Sequence, residues 1–150
     1  PFLDHIRLFV HVGRDQDIEG YQTVNEPRLE ADVSAARIFE YLRDQLISNT
    51  KNYPYGTLYV ALRECIRKLL SDYPGLYTFF LANESVLFGF SNSRRLLLLK
   101  KSEKLGDILL VTSAGERLSP EEWLPIKPDE SSLGTLMVIA GPDVLYFGDI

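Results

Sequence analysis

Two helical stripes in succession, followed only by strand patterns, constrain the fold of this 150-residue chain most. Ala35, Ile38, Phe39, Leu42 and Leu46 recur at i, i+3, i+4, i+7 and i+11, which puts them on one face of a helix. Arg37, Glu40, Arg43 and Asp44 fall off that stripe and are expected on the other side of the helix. The pattern begins near Val33, with Asp32 or Ser34 as capping residue, and stops near Asn49. Asn52-Tyr53-Pro54-Tyr55-Gly56 is a break. Leu58, Ala61, Leu62, Cys65, Ile66, Leu69 and Leu70 then form the stripe of a second helix over residues 57–72, closed by Pro74-Gly75. Two such faces need a partner layer, and the strand patterns on either side supply it.

The first strand pattern covers residues 6–12. Leu8-Phe9-Val10-His11-Val12 is apolar and β-branched enough for a buried pleated surface, and Gly13 is expected to end it. A glycine there lets the backbone turn with positive φ, or lets its amide approach a ligand closely. Whether this is a functional strand end or a core strand entering a turn stays open on these residues alone. Residues 14–31, around Gly20 and Pro27, read as a long connection, and uninterrupted connections of that length often carry function. In the second half, residues 76–82 and 85–91 predict a hairpin around Asn83-Glu84. Residues 95–101 and 108–112 predict two more strands. Ser119-Pro120-Glu121-Glu122 has the form of a helix start, with Trp123 sealing a core edge. Residues 136–140 and 144–147 predict a closing hairpin around Gly141-Pro142-Asp143. The order defines an α+β fold, one domain over residues 1–150, with helices packed on a mostly antiparallel sheet.

Composition narrows the function. With 45% hydrophobic and 11% aromatic residues the chain can build a core. The net charge of -5, with no tract of Lys and Arg, disfavours nucleic acid as a partner. Apolar runs such as residues 136–140 are too short to span a bilayer as a helix, and no signal peptide is visible in Pro1-Phe2-Leu3-Asp4-His5. The single Cys65 excludes an internal disulfide and permits a cytoplasmic setting. The start at Pro1 leaves open a removed Met or a piece of a longer protein.

Pro1-Phe2 ahead of Phe9-Val10-His11-Val12-Gly13 resembles the Pro-Phe segment and Phe-Val-His-Asn-Gly strand end of class II glutamine amidotransferases, which are N-terminal-nucleophile hydrolases. Ser34 followed by Arg37-Ile38-Phe39 is similar to the Thr-Asp-Ser-Glu helix start of the compact, stand-alone members. Asn83-Glu84-Ser85-Val86 resembles their Asn-x-x-Leu turn, and Val111-Thr112-Ser113 their Val-x-Ser segment, with Ala114-Gly115 where Glu-Pro is expected. The resemblance covers nearly the whole chain and implies that family's layered sandwich. It also implies hydrolysis of the glutamine side-chain amide to glutamate and ammonia, with no cofactor and no metal.

The departures bear on the site. The family's nucleophile is an N-terminal Cys that uses its own α-amine as base, and no Cys lies near Pro1, so the catalytic nucleophile is unknown in these residues. The family's N-terminal strands and its carboxylate-gripping arginine loop would lie upstream of Pro1. The oxyanion-hole pair falls on Val12 and Gly13. Val12 donates no hydrogen bond, and loss of one such donor costs about 3–4 kcal/mol of transition-state stabilisation. The family's Asp, which holds the substrate α-ammonium, falls on Ser34, or on Asp32 after a two-residue shift. The expectation is a glutamine amidotransferase-like domain with an incomplete site.

Two alternatives stand beside this. A non-catalytic structural or regulatory subunit would cover exposed sheet surface with a partner chain or a second copy. A free Pro1 amine of lowered pKa would serve a tautomerase, although Asp4, His5 and the two long helices fit that family poorly. His5 and His11 supply at most two metal ligands where three or four are needed, and His11 reads as a hydrogen-bonded core histidine. Cys65, on an apolar helix face, reads as packing. Arg94, Arg95, Lys100, Lys101 and Lys104 read as a solvated edge strand ahead of an anion patch. Glu121, Glu122, Asp129 and Glu130 read as a solvated acidic loop.

Overall fold

A computed structural model describes residues 8–15, 18–25, 34–49, 55–100, 106, 108–112, 123–126 and 132–150. The elements in chain order are β1 (Leu8–Asp15), a 3-10 turn (Ile18–Gly20), α1 (Ser34–Asn49), α2 (Tyr55–Asp72), β2 (Gly75–Ala82) and β3 (Leu87–Ser91). They continue with β4 (Leu97–Leu99), β5 (Leu110–Thr112), β6 (Leu124–Pro125), β7 (Thr135–Ala140) and β8 (Asp143–Asp149). One sheet has five strands in the order β1-β2-β3-β7-β8, the other three in the order β5-β4-β6, and every pair is antiparallel.

Strand alternation divides the large sheet into two apolar faces. Tyr77, Phe79 and Leu81 of β2, Phe88 and Phe90 of β3, and Leu136 and Val138 of β7 pack against the helices. There they meet Ile38, Phe39, Leu42 and Leu46 of α1 and Leu58, Leu62, Cys65, Ile66 and Leu69 of α2, the two stripes read from spacing. Phe9 joins the first strand to this core, with its ring 5.5 Å from Phe39 and 5.8 Å from Phe79. On the opposite face Met137 and Ile139, with Phe80, Leu87 and Val144 beside them, pack against Leu96 and Leu98, next to and within β4, and Ile126. The result is three layers: helices, large sheet, small sheet. This is the α+β arrangement of helices on antiparallel sheet expected from the order of patterns.

Several details differ from the sequence reading. β1 does not end at Gly13 but continues to Asp15, paired to β2 down to Asp15↔Gly75. β4 is the middle strand of its sheet rather than an edge strand. Arg94, Arg95 and Lys100 are exposed beside it and do not guard an edge, while Lys101 and Lys104 lie outside the described residues. β6 lacked a readable signal because it is two residues long and contains Pro125. The expected helix start at Ser119 to Glu122, the acidic Asp129 and Glu130, and Pro1, Asp4, His5 and Asp32 also lie outside the described residues. Trp123 is partly buried next to β6. The closing hairpin turns at Gly141, whose φ of +58° suits a residue without Cβ.

The far side of α1 is not a solvent face. Glu40, Tyr41, Arg43 and Asp44 are all buried, although three of them fall off the apolar stripe. Arg43 and Glu40 pair with each other one turn apart, so two buried charges neutralise one another. Asp44 has a different solution, which belongs to the site.

Candidate functional site

The second half of β1 carries Val12 and Gly13. Alternation sends Phe9 and His11 toward the helices and Val12 to the opposite face, where the residue is 57% exposed. Polar groups alternate too. Tyr77 donates its amide to Asn92 Oδ1 at 2.6 Å and accepts from the Asn92 amide at 3.0 Å, both on the β3 side. Gly13, which faces Tyr77 in the β1–β2 register, therefore turns its amide away from β2, to the side of β1 on which no described strand pairs. An amide not spent in the ladder with β2 is available to another acceptor. The neighbouring Val12 presents only methyl groups.

Gly13 is constrained by space rather than by φ. Its φ is not positive, and a Cβ built there would stand 1.8 Å from the Leu76 carbonyl oxygen and 2.9 Å from His11 Nε2. The expected positive-φ turn is thus replaced by a close approach of two backbones. His11 is partly buried, with its ring 5.8 Å from that of Tyr77.

Ser34 is the first residue of α1 and is partly buried. Among the described residues no hydrogen bond joins Ser34 to Val12 or Gly13, so direct bonding does not bring the three together. Cys65 is a free thiol, 2% exposed, packed inside the helix-facing core. No group of three or more His, Cys, Asp and Glu side chains suited to a metal ion occurs among the described residues.

The segment that leaves β1 is held by a residue the sequence reading placed off the stripe. Asp44, 1% exposed, accepts hydrogen bonds from Tyr21 Oη at 2.6 Å, Thr23 Oγ1 at 2.8 Å, the Val24 amide at 2.9 Å and Asn25 Nδ2 at 2.5 Å. Burial pushes the carboxyl pKa up, but these four donors outweigh it and hold it below the usual range. Tyr21 packs edge-on against Tyr41 at 5.2 Å, and Tyr41 against Tyr73 at 5.5 Å. Tyr41 donates to Asp72 at 2.7 Å. Burial, followed by the carboxylate each hydroxyl donates to, raises the pKa of both Tyr21 and Tyr41, so both remain neutral donors. The only signal for this cluster in the sequence was the long polar connection itself, which needs an acceptor wherever it is covered.

Comparison with known proteins fits this architecture. A class II glutamine aminotransferase domain protein from Silicibacter pomeroyi superposes with a TM-score of 0.64 at 15% identity, over 95% of this chain and 66% of that one. A predicted glutamine amidotransferase from Pseudomonas aeruginosa superposes with a TM-score of 0.63 at 16% identity, over 94% of this chain and 63% of that one. The chain thus has the fold of class II glutamine amidotransferase domains and spans about two-thirds of the length of these two structures. No family model matches the sequence, and no curated protein matches it. No described helix is long and apolar enough to cross a membrane.

Proposed function

We propose that this chain is a class II glutamine amidotransferase-like domain, of the N-terminal-nucleophile hydrolase type, whose glutamine-splitting site is incomplete within these 150 residues. The observation that carries the reading is the end of β1. The register leaves the Gly13 amide unspent in the ladder with β2, where it can serve as an oxyanion donor, but the side chain beside it is the half-exposed Val12. A tetrahedral intermediate formed there keeps one donor and lacks the second, a deficit of about 3–4 kcal/mol or two to three orders of magnitude in rate. Ser34, at the start of α1, offers a neutral hydroxyl where an ammonium calls for a carboxylate, and the buried Cys65 is not placed to attack. Glutamine is the ligand class and the cytoplasm the setting in this reading. Incubated with glutamine, the purified chain is expected to release no ammonia above the protein-free rate, and release at a rate ordinary for a glutaminase overturns the proposal.

A second reading, a non-catalytic subunit that binds a partner chain, is favoured by Leu8, Val10 and Val12 of β1 and Leu76 of β2, apolar side chains exposed on the face away from the helices.

A further inference from the structure

We infer that residues 21–25 form a strap latched by one buried carboxylate, Asp44 of α1, and that this strap opens as a unit while both cores stay folded. The strap lies in the connection from β1, which carries Val12 and Gly13, to α1, which begins at Ser34. Its near end is fixed. Ile18 is fully buried in the helix-facing core, and the Tyr21 amide donates to the Ile18 carbonyl at 2.9 Å.

Beyond that anchor the attachment is concentrated on one group. Among the described residues, every other hydrogen bond from the strap to the rest of the molecule ends on Asp44, from Tyr21 Oη, Thr23 Oγ1, the Val24 amide and Asn25 Nδ2. Thr23 and Asn25 otherwise bond to each other. Packing adds the Tyr21 ring, edge-on to Tyr41 at 5.2 Å and to Tyr73 at 6.3 Å. Gln22 is exposed and Val24 is 83% exposed, so these two return little apolar surface to water when the strap lifts.

Such a latch has two states. Asp44 is 1% exposed, and a carboxylate that far from water cannot keep its charge beneath a strap that has let go of it. Losing the donors one by one is therefore less favourable than losing all four and admitting water. Lifting the strap hydrates the carboxylate and its donors together, and so requires less free energy than opening the helix-facing core. It also takes the Tyr21 ring off Tyr41 and Tyr73, two aromatic side chains of the helix pair and its C-terminal end.

Amide exchange of the wild type, followed by NMR at rising urea, separates the two kinds of opening. The Val24 amide is expected to exchange by a route nearly insensitive to low urea, well before the amides of β2, β3 and β7. In Asp44→Asn that exchange is expected to quicken at least about tenfold, and chymotryptic cleavage after Tyr21 with it, while the circular dichroism of the folded chain is kept. Thr23→Val removes one donor, keeps the side-chain shape and is expected to act in the same direction. A wild-type Val24 amide with the urea dependence of the core, exchange unchanged in Asp44→Asn, or an Asp44→Asn chain that loses its fold altogether overturns the proposal. Exchange and cleavage are read without glutamine, so failure here is separate from failure of the amidotransferase-like reading, which ammonia release decides.

Discussion

Leu76 sets the identity of residue 13. Its carbonyl oxygen occupies the space a Cβ would need, so Gly13→Ala must push β1 and β2 apart over a paired stretch. A loss of about 2–3 kcal/mol is expected in urea unfolding, the range for overpacking a close contact. Asp44→Asn removes the charge from four hydrogen bonds and one of the two accepting oxygens, and is expected to cost about 2–3 kcal/mol at pH 7. The sign with pH follows from the lowered carboxyl pKa. The folded state favours the ionised form, so the stabilisation is complete above the unfolded value near 3.9 and is lost as pH falls through the lower folded one. Stability measured against pH should therefore fall less steeply on the acid side in Asp44→Asn than in the wild type. Val12 was legible in the sequence because it stands in a patterned strand. Asp44 was not, because spacing reports the apolar face of a helix and says nothing about a polar segment folded over the other.

At the level of elements the two cores are unequal. The helix-facing core draws on two long helices and four strands of the large sheet. The second core rests on Leu96, Leu98 and Ile126 against Met137 and Ile139, and its sheet has strands of only three, three and two residues. Phe79→Ala is expected to cost about 3–5 kcal/mol and Leu98→Ala about 2–3 kcal/mol, measured by chemical denaturation. Amide hydrogen exchange is expected to show weaker protection in β4, β5 and β6 than in β2, β3 and β7, since small satellite units open before the main core. The helices were readable because each holds an apolar stripe over several turns, and the hairpins because Asn83 and Gly141 mark their turns. Asn83 accepts from the Ser85 and Val86 amides through its side chain, the local bonding that makes Asn a turn residue. β6 and the central place of β4 were not readable, because which short strands pair is decided by tertiary packing rather than by local pattern.

For the whole molecule, the order of elements carried the fold, and it agrees with amidotransferase domain structures at 15–16% identity. The candidate site is a smaller statement. Gly13 offers an amide not spent in the ladder with β2, Val12 offers no donor, and Ser34 stands at the start of a helix without a charge. The resemblance singled out all three positions as candidates. The difference between an amide left unspent and one spent in a ladder came only from the register. The most direct measurement is ammonium release from amide-labelled glutamine, followed by NMR over hours at increasing protein concentration. The wild type and Val12→Asn are both expected to match buffer alone, and steady release by the wild type in proportion to protein would contradict an incomplete site.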